Sequence, residues 1–498
     1  MSSNDDPAIP EIDSIPPGCT AIEGYVYDIR KMLTRHPGGE RLIKIALQTD
    51  ATAHFMSYHP PSAEAWLGSS TVPKIGRLTC PAPTCVTVGP FYKSIRSDVW
   101  SVLRLNHKRH LRGKSRASAV FAERIKVFLM GYLAWIATIV VSGVILEWNI
   151  EGVVLALLAS GALGFTSYRA DLALFAHMLD HHAVCKSHRA TDIMLHASVP
   201  WGSRASEFIT GAHHLHHAHT RVLGLDQTIA NDWPSWIVRL SDTLPIRPAN
   251  RMQHIVMPGL ALVKPLVDSL HDTIACTQYL VCRDFAAGFS APFVPRALVR
   301  GYDRDSPYIG RYDALACGSH WPFCIAFYVV SLVSSVNLLY VWFVMMPSMT
   351  AGLAWIVHNI APSVCKSFTG EHSTDVAAYA MHLLARERPP SIKLYGHDDM
   401  ISPVEHRAHD WGLQQAINSG NVVIGNDTSN VASGAAWQIE HHLFPGLETS
   451  CYDTITPIVQ RHLREYGVDV SEITFSVDDE GHDALKMLRK YSSRSHRS

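Results

Sequence analysis

Three separate clusters of histidine predict a metal site. In the last cluster, Gln438, His441 and His442 are spaced i, i+3 and i+4, so on a helix their side chains would share one face. Imidazole nitrogens are suitable ligands for iron, copper, zinc or nickel. The two earlier clusters contain His177, His181, His182, His213, His214, His216 and His217. Recurrence of such clusters in one chain indicates a transition-metal centre assembled from distant segments.

The composition indicates an integral membrane protein. Hydrophobic residues make up 47% of the 498 residues and charged residues only 17%. A net charge of −1 gives no reason to expect a nucleic-acid partner. The ten cysteines form no Cys-x-x-Cys pair, which argues against a disulfide framework or a zinc ribbon and suits a reducing cytosolic face.

The N-terminal region carries a further pair of histidines. His36 begins a His-Pro-Gly-Gly turn, and His59 follows 23 residues later. A strand at Tyr25–Asp28 and a helix from Glu40 to Leu47 are predicted around the turn. Two imidazoles that bind one haem iron from opposite sides leave it coordinatively full, a state suited to electron transfer. His54 competes with His59 as the second ligand.

The order of these motifs resembles that of the membrane fatty acyl desaturases, and Gln438 resembles the front-end branch of that family. Members of the branch carry a fused cytochrome b5 domain. Here Val26-Tyr27-Asp28, His36-Pro37-Gly38-Gly39, Asp50-Ala51-Thr52 and Ile75–Leu78 match cytochrome b5, in which the second ligand has the spacing of His59. The resemblance covers roughly residues 20–465, most of the chain.

The resemblance implies an α+β cytochrome b5-like domain fused to an all-α membrane desaturase domain with four transmembrane helices and a cytosolic histidine-rich cap. The expected divisions are a disordered tail at 1–19, the haem domain at 20–78, a linker at 79–103, the desaturase domain at 104–465 and a cytosolic tail at 466–498.

Charge distribution predicts the topology. Eight Lys or Arg residues lie between 104 and 126, and none lies between Val127 and Tyr168, so the positive-inside rule places the N-terminus in the cytosol. Spans are predicted near 127–146, 152–170, 321–337 and 340–357. Segment 252–263 is too short for a span and is interpreted as interfacial, with an apolar core helix as the alternative. All histidine clusters then face the cytosol with the haem domain, as in a multi-pass protein of the endoplasmic reticulum with both termini cytosolic.

By resemblance, the clusters hold two non-haem irons, and the same ligands are the catalytic residues. The ligands that match motif positions are His177, His181, His213, His216, His217, Gln438, His441 and His442, with His358 as a ninth. Haem b would lie between His36 and His59. Asp180, Asp226 and Glu440 are candidates for orienting the ligand imidazoles. The histidines beside the ligands but outside the motif, His182, His214 and His219, are expected in outer or solvent positions.

The implied function is that of a front-end desaturase of the Δ5 or Δ6 type, which inserts a cis double bond between an existing one and the carboxyl end of a polyunsaturated acyl chain. Oxygen is consumed, and electrons arrive from NADH-cytochrome b5 reductase through the haem. The acyl chain is carried by coenzyme A or a phospholipid in the bilayer. Alternatives are a sphingoid-base Δ8 desaturase, a hydroxylase, and a non-catalytic membrane haem protein with vestigial histidine boxes.

Several positions depart from the family pattern. Met178 stands where the first box usually has aspartate, Thr220-Arg221 replaces Thr-Asn after the second box, and Ser433–Ala436 replaces the usual Gly-Gly-Leu-Asn before the third. None of these changes removes an expected ligand. They leave the regioselectivity open.

Overall fold

The structure is a computed structural model that describes part of the chain. The described residues are 9–105 except 83, a scattered set between 119 and 191, 212–220 with 222 and 225, a few between 246 and 255, 409–419, 421–423, 437–448 and 451–476. His358, Asp226 and the predicted spans at 321–337 and 340–357 lie outside the described residues.

The N-terminal region contains a four-stranded sheet. Its strands are β1 (Glu11–Ile12), β2 (Cys19–Ile22), β3 (Tyr25–Asp28) and β4 (Lys74–Leu78), in the order β1-β4-β3-β2. β1 pairs in parallel with β4, and the other pairs are antiparallel. Glu23 and Gly24 join β2 to β3 with φ angles of 50° and 79°, the left-handed pair that a tight hairpin turn requires. β1 lies inside the predicted N-terminal tail, where it extends the sheet.

Two helices and two 3₁₀ turns complete the haem domain. The helices are α1 (Glu40–Ile45) and α2 (Thr52–Tyr58), and the 3₁₀ turns are Arg30–Met32 and Pro61–Trp66. Gly39 precedes α1 with φ 87°, which explains a glycine at the end of the His-Pro-Gly-Gly turn. The small apolar core of this domain consists of Ile22, Tyr27, Ile29, Leu47 and Val72. The predicted strand at Tyr25–Asp28 is present, and the predicted helix ends at Ile45 rather than Leu47.

A long helix follows within the segment predicted as a linker. Helix α3 runs from Pro90 to Leu105, so only residues 79–89 connect it to β4. Its apolar positions recur every fourth residue, at Phe91, Ile95, Val99 and Leu103, and all four are buried. This spacing places them on one helical face that packs into the core. The prolines of the predicted linker, Pro81, Pro83 and Pro90, all lie in its first half.

The described residues that follow α3 include four shorter helices. They are α4 (Ala212–Ala218), α5 (Trp411–Asn418), α6 (Gln438–Leu443) and α7 (Tyr452–Glu465). After α7, a 3₁₀ turn at Val470–Ile473 leads to β6 (Thr474–Ser476), which pairs in parallel with β5 (Asn421–Val423). The first part of the predicted C-terminal tail is therefore paired with the desaturase domain.

One hydrophobic core joins the haem domain to the helices. It includes Met56 of α2 together with Phe91, Trp411, Leu443 and Ile455 of α3, α5, α6 and α7. The Tyr92 hydroxyl lies 3.2 Å from the carbonyl oxygen of Met56 and 2.8 Å from that of Leu443, so it bridges α2 and α6. These contacts hold α2 against the segments that carry the histidine clusters.

A single carboxylate caps two helices of this core. Asp410 Oδ1 accepts hydrogen bonds from the backbone N–H groups of Gly412 and Leu413, at the start of α5. Asp410 Oδ2 accepts from Phe91 N at 2.9 Å, at the start of α3. Backbone N–H groups in a first helical turn lack partners within the helix, so this one side chain fixes the relative position of α3 and α5.

Among the residues that the structure describes, no helix combines the length and the apolar character needed to cross a membrane. Within the first two predicted spans the described residues are largely helical, with a π-helical turn at Val141–Ile145. The sheet and helices of the N-terminal domain agree with the predicted fold class. The four spans stay a prediction.

Candidate metal centre and haem site

The three histidine clusters lie on three short helical segments. Residues 177–180 are helical and begin the first cluster, and His181 and His182 follow in a turn; α4 carries the second cluster and α6 the third. The described cluster histidines are buried, apart from half-buried His177 and His182. The third cluster is helical, as predicted. His213 and His217 lie four residues apart on α4, so they share one helical face.

Five of these side chains converge on one point. The metal-binding atoms of His177, His181, His213 and His217 all lie within 4.8 Å of one another. His441 joins them from α6, with its Nε2 2.6 Å from Nε2 of His177. His213 and His217 likewise approach through their Nε2 atoms, at 3.1 Å. Ring nitrogens that crowd together in this way form a coordination shell more readily than a hydrogen-bond network, since each neutral ring carries only one proton.

The remaining box histidines form a neighbouring group. The His442 ring lies 4.3 Å from that of His217 and 5.1 Å from that of His216. His217 therefore lies between the two groups. Gln438 begins α6, is half-buried and shares a helical face with His441 and His442. The structure thus brings His177, His181, His213, His216, His217, His441 and His442 into one continuous cluster.

Burial keeps the clustered imidazoles neutral. It lowers the pKa of His177, His181 and His217 well below the usual value, and the neighbouring histidines lower it further. Burial lowers the pKa of His441 to about 3. The pKa of His213 falls to about 4, because burial outweighs the opposing effect of Asp180. At neutral pH all five rings are uncharged, the form in which histidine binds metals.

Each of four ligand candidates is held at its Nδ1 by another side chain. His213 Nδ1 donates to Asp180 Oδ2 at 2.8 Å, and His181 Nδ1 contacts the Tyr58 hydroxyl. His441 Nδ1 lies 3.0 Å from the Tyr452 hydroxyl, and His442 Nδ1 lies 3.0 Å from Thr220 Oγ1. Partners at one ring nitrogen fix the orientation of a metal-binding histidine and leave the other nitrogen for the metal.

The donor set fits a transition metal. His181 Nε2 is buried and has no hydrogen-bond partner among the described residues, although Nδ1 of the same ring is held. An unpaired buried nitrogen of this kind is costly unless a ligand completes it. A centre of neutral imidazole nitrogens suits iron, copper or zinc and disfavours magnesium or calcium, which prefer oxygen ligands.

Of the predicted orienting carboxylates, Asp180 and Glu440 are among the described residues, and Asp180 takes that role. Asp180 contacts His213, whereas Glu440 accepts from Asn421 Nδ2 at 3.2 Å. The sequence interpretation did not identify Tyr58, Thr220 or Tyr452. Thr220 lies four residues after His216, so helical periodicity offered a signal for it. Tyr58 and Tyr452 are brought in by packing between segments, and no local pattern marks them.

Helix α5 holds the end of the second cluster. Trp411 Nε1 donates to Ala218 O at 2.7 Å, and Gln415 Nε2 donates to the same oxygen at 3.1 Å. Asn418 Nδ2 donates to Thr220 O at 3.0 Å. These side chains supply partners for carbonyls at the C-terminal end of α4, which no backbone N–H of that helix can reach.

The haem ligand candidates His36 and His59 are neighbours, with ring centroids 5.7 Å apart. His36 Nδ1 lies 3.3 Å from Gly39 O, and His59 Nδ1 lies 3.0 Å from Phe55 O. A carbonyl only accepts, so both Nδ1 atoms carry the proton and both Nε2 atoms keep a lone pair for iron. Burial, followed by the neighbouring His36, lowers the pKa of His59 to about 4. The pair fits a bis-histidine haem.

The competing histidine points elsewhere. His54 Nε2 lies 3.0 Å from His214 O, in contact with α4 rather than with His36. Arg96 on α3 instead holds the backbone of His59, since its Nε and Nη2 donate to His59 O at 3.1 and 2.9 Å. The geometry therefore favours His59 over His54 as the second haem ligand.

We expect His36→Ala to abolish the Soret band, because a single remaining imidazole cannot hold a bis-histidine haem. The measurement is the absorption spectrum of the purified full-length protein after addition of haem. His54→Ala is the matched control and should keep the band, since His54 contacts a backbone carbonyl of α4. An unchanged spectrum in His36→Ala would refute the ligand assignment.

Comparison with known proteins supports both parts of the chain. Residues 13–80 match the family model described as a cytochrome b5-like heme/steroid binding domain. The chain is 24% identical over 465 residues to an acyl-lipid (7-3)-desaturase of Chlamydomonas reinhardtii, which covers 90% of this chain and 76% of the relative. No solved structure is significantly similar to the chain.

Two shorter matches come from Dictyostelium discoideum. Delta(5) fatty acid desaturase A is 24% identical over 215 residues, and probable Delta(5) fatty acid desaturase C is 32% identical over 111 residues. The matches span 39% and 23% of those enzymes. Together with the haem domain, these relatives confirm the predicted class of protein, a desaturase fused to cytochrome b5.

Proposed function

We propose that this cytochrome b5-fused fatty acid desaturase is a front-end enzyme of the Δ5 or Δ6 type. Its reaction inserts a cis double bond between an existing double bond and the carboxyl end of a long polyunsaturated acyl chain. Molecular oxygen is consumed and water is released. The observation that carries the proposal is the convergence of all three histidine boxes in one buried cluster, in contact with a docked haem domain.

The proposed centre holds two non-haem irons. His177, His181, His213 and His441 line one position, and His216 and His442 lie beside it, with His217 between the two groups. His358 and Gln438 are the remaining proposed ligands. Bound iron would supply the oxygen activation needed to remove hydrogen from an unactivated methylene.

The chain's own residues prepare the centre for that chemistry. The buried imidazoles exclude water, and their lowered pKa values keep them neutral, so they bind the metal without cancelling its charge. Three ligand rings are held at Nδ1 by Asp180, Thr220 and Tyr452. The ligand geometry is therefore set before metal or substrate arrives.

The proposed electron source is the fused haem domain. NADH-cytochrome b5 reductase would reduce the haem between His36 and His59, and the haem would supply the metal centre one electron at a time. Support comes from the packing of α2, which carries His54 against α4 and places Met56 in the core shared with α6.

The proposed location is the endoplasmic reticulum membrane, with both termini cytosolic. Large apolar side chains are exposed on the described residues of the first two predicted spans and the turn between them; Met130 is 71% exposed and Ile150 is 76% exposed. Others in this stretch are Val127, Leu129, Leu133, Val140, Val144, Ile145, Val154, Leu155 and Leu158. An apolar surface of this extent favours contact with lipid. The proposed substrate is an acyl-CoA or an acyl-phospholipid drawn from that bilayer.

Expression in a yeast host fed a panel of polyunsaturated fatty acids tests the function. Gas chromatography of the total lipids should show a new product with one additional double bond on the carboxyl side of an existing one. Cells that express His441→Ala serve as the matched negative control. New unsaturation in sphingoid bases, with fatty acids unchanged, would point to the Δ8 sphingoid desaturase instead. Haem without non-haem iron in the purified protein would indicate the non-catalytic haem protein.

A further inference from the structure

Tyr58 connects the haem domain with the histidine cluster. It is the last residue of α2, and the next residue is the haem ligand candidate His59. Its hydroxyl contacts Nδ1 of His181 and lies 3.0 Å from Nδ1 of His214. Both histidines are buried, and they belong to two different boxes. One side chain of the haem domain thus reaches into the proposed metal centre.

We propose that Tyr58 is a positioning residue through which the haem domain sets the metal-binding form of His181. The hydroxyl would fix the proton of this ring on Nδ1 and so leave Nε2 free to bind metal. This inference rests on the proposed metal centre, and it adds that the centre is complete only when the haem domain is docked.

The proton positions follow from the carboxylate at one end of the chain of contacts. Asp180 Oδ2 lies 2.8 Å from His213 Nδ1 and 3.0 Å from His214 Nε2. An ionised carboxylate only accepts, and it repels a lone pair placed against it. His213 Nδ1, which donates to this oxygen, therefore carries the proton of its ring. His214 Nε2 makes no hydrogen bond among the described residues, and the nearby carboxylate charge favours its proton there as well.

The proton position of His214 in turn determines the direction of its hydrogen bond with Tyr58. With its proton on Nε2, neutral His214 has a lone pair on Nδ1, which accepts the hydroxyl proton of Tyr58. The tyrosine has a single hydroxyl proton, so if that proton goes to His214 its oxygen accepts from His181. His181 Nδ1 must therefore carry a proton and donate it to Tyr58.

The result is a lone pair on His181 Nε2. This is the atom that is buried without a hydrogen-bond partner among the described residues, and the ring is one of those that converge in the cluster. The contacts from Asp180 through His214 and Tyr58 thus agree with metal binding at His181 Nε2, a buried nitrogen without a hydrogen-bond partner among the described residues. If donors and acceptors along these contacts were reversed, His181 Nε2 would carry a proton and could not bind a metal.

Tyr58→Phe tests the inference, because it keeps the ring and removes only the hydroxyl. We expect the affinity for non-haem iron to fall about tenfold to a hundredfold, the usual cost of losing a partner that orients a ligand. The measurement is competition of Fe²⁺ with a coloured chelator in the full-length, haem-loaded protein in lipid nanodiscs. The Soret band should be unchanged, which shows that the haem domain is folded.

Tyr92→Phe is the matched control. Its hydroxyl also bridges α2 to the desaturase domain, through Met56 O and Leu443 O, but it contacts no histidine of the cluster. We expect this variant to melt at a lower temperature and to bind iron with the affinity of the wild type. An equal loss of iron affinity in Tyr92→Phe would show that any loosened docking has this effect, and would overturn the specific role of Tyr58.

A second variant tests the chain of contacts. His214→Ala removes the group that accepts the Tyr58 proton, and it should also weaken iron binding. If both residues act through one series of contacts, the double variant should bind iron no more weakly than the single variant with the lower affinity. If they act independently, the two losses of affinity would multiply. Either of two results would overturn the inference: wild-type iron affinity in Tyr58→Phe, or a loss of affinity in the double variant equal to the product of the two single losses. These readings require no substrate, so they are independent of whether the feeding experiment yields a product.

Discussion

His441→Ala is expected to abolish desaturation and to remove most of the non-haem iron while the haem spectrum stays unchanged. His441 Nε2 lies 2.6 Å from Nε2 of His177, and its ring lies within 5 Å of those of His181 and His217. Its loss would therefore open the cluster at its centre, on the side that α6 supplies. Product is measured by gas chromatography, and iron is measured relative to haem in the purified protein.

The control for this variant is a buried histidine outside the cluster. His462 on α7 contacts Asp98 of α3 at 3.0 Å, and His462→Ala should leave the iron content and the haem spectrum as in the wild type. His441→Gln serves as a second variant, since it keeps a polar side chain of similar length in the same place. Retention of product and of iron by both His441 variants would exclude this residue from the metal shell.

Asp180→Asn is expected to weaken non-haem iron binding by about tenfold to a hundredfold. Asp180 is fully buried and contacts two imidazoles, His213 Nδ1 at 2.8 Å and His214 Nε2 at 3.0 Å. Both rings contact the same carboxylate oxygen, Oδ2, and His213 donates a hydrogen bond to it. An amide carries no negative charge, and with its NH₂ group turned toward His213 Nδ1 it would oppose the proton of that ring, so the ring would change its proton position or its orientation. Chelator competition in the full-length protein measures the effect.

Asp98→Asn provides the comparison, because it alters a histidine–aspartate contact outside the cluster. Asp98 accepts from Arg461 and contacts His462, at the interface of α3 and α7. This variant should keep its iron affinity. If Asp180→Asn and Asp98→Asn both left the iron affinity at the wild-type level, Asp180 would have no part in orienting the ligands.

The packing of the haem domain gives these experiments a common physical basis. Met56 lies in the same core as Leu443 and Phe444 of the third box, and Arg96 of α3 holds the backbone of His59. Side chains in a shared core move together, since close packing leaves little free volume. Truncation of a core side chain such as Met56 is therefore expected to alter both centres.

Local spacing in the sequence identified the clustered ligand candidates, whereas the resemblance to cytochrome b5 identified the haem pair. Histidines three or four residues apart share a helical face, and this depends only on the geometry of one turn. The apolar positions of α3 at Phe91, Ile95, Val99 and Leu103 followed the same rule, although they lie in the segment 79–103 that was predicted to be a linker. Periodicity was the more reliable signal because it reports the face that becomes buried.

Only the tertiary structure decided which groups hold the second nitrogen of each ligand. Tyr58 and His181 are separated by 123 residues, and Thr220 and His442 by 222, so their contacts depend on how distant segments pack. The same packing chose Asp180 rather than Glu440 as the carboxylate beside a ligand, because the Glu440 side chain meets Asn421 instead. A sequence specifies which side chains are able to bind a metal, whereas the orientation of each ring depends on partners that only folding brings within reach.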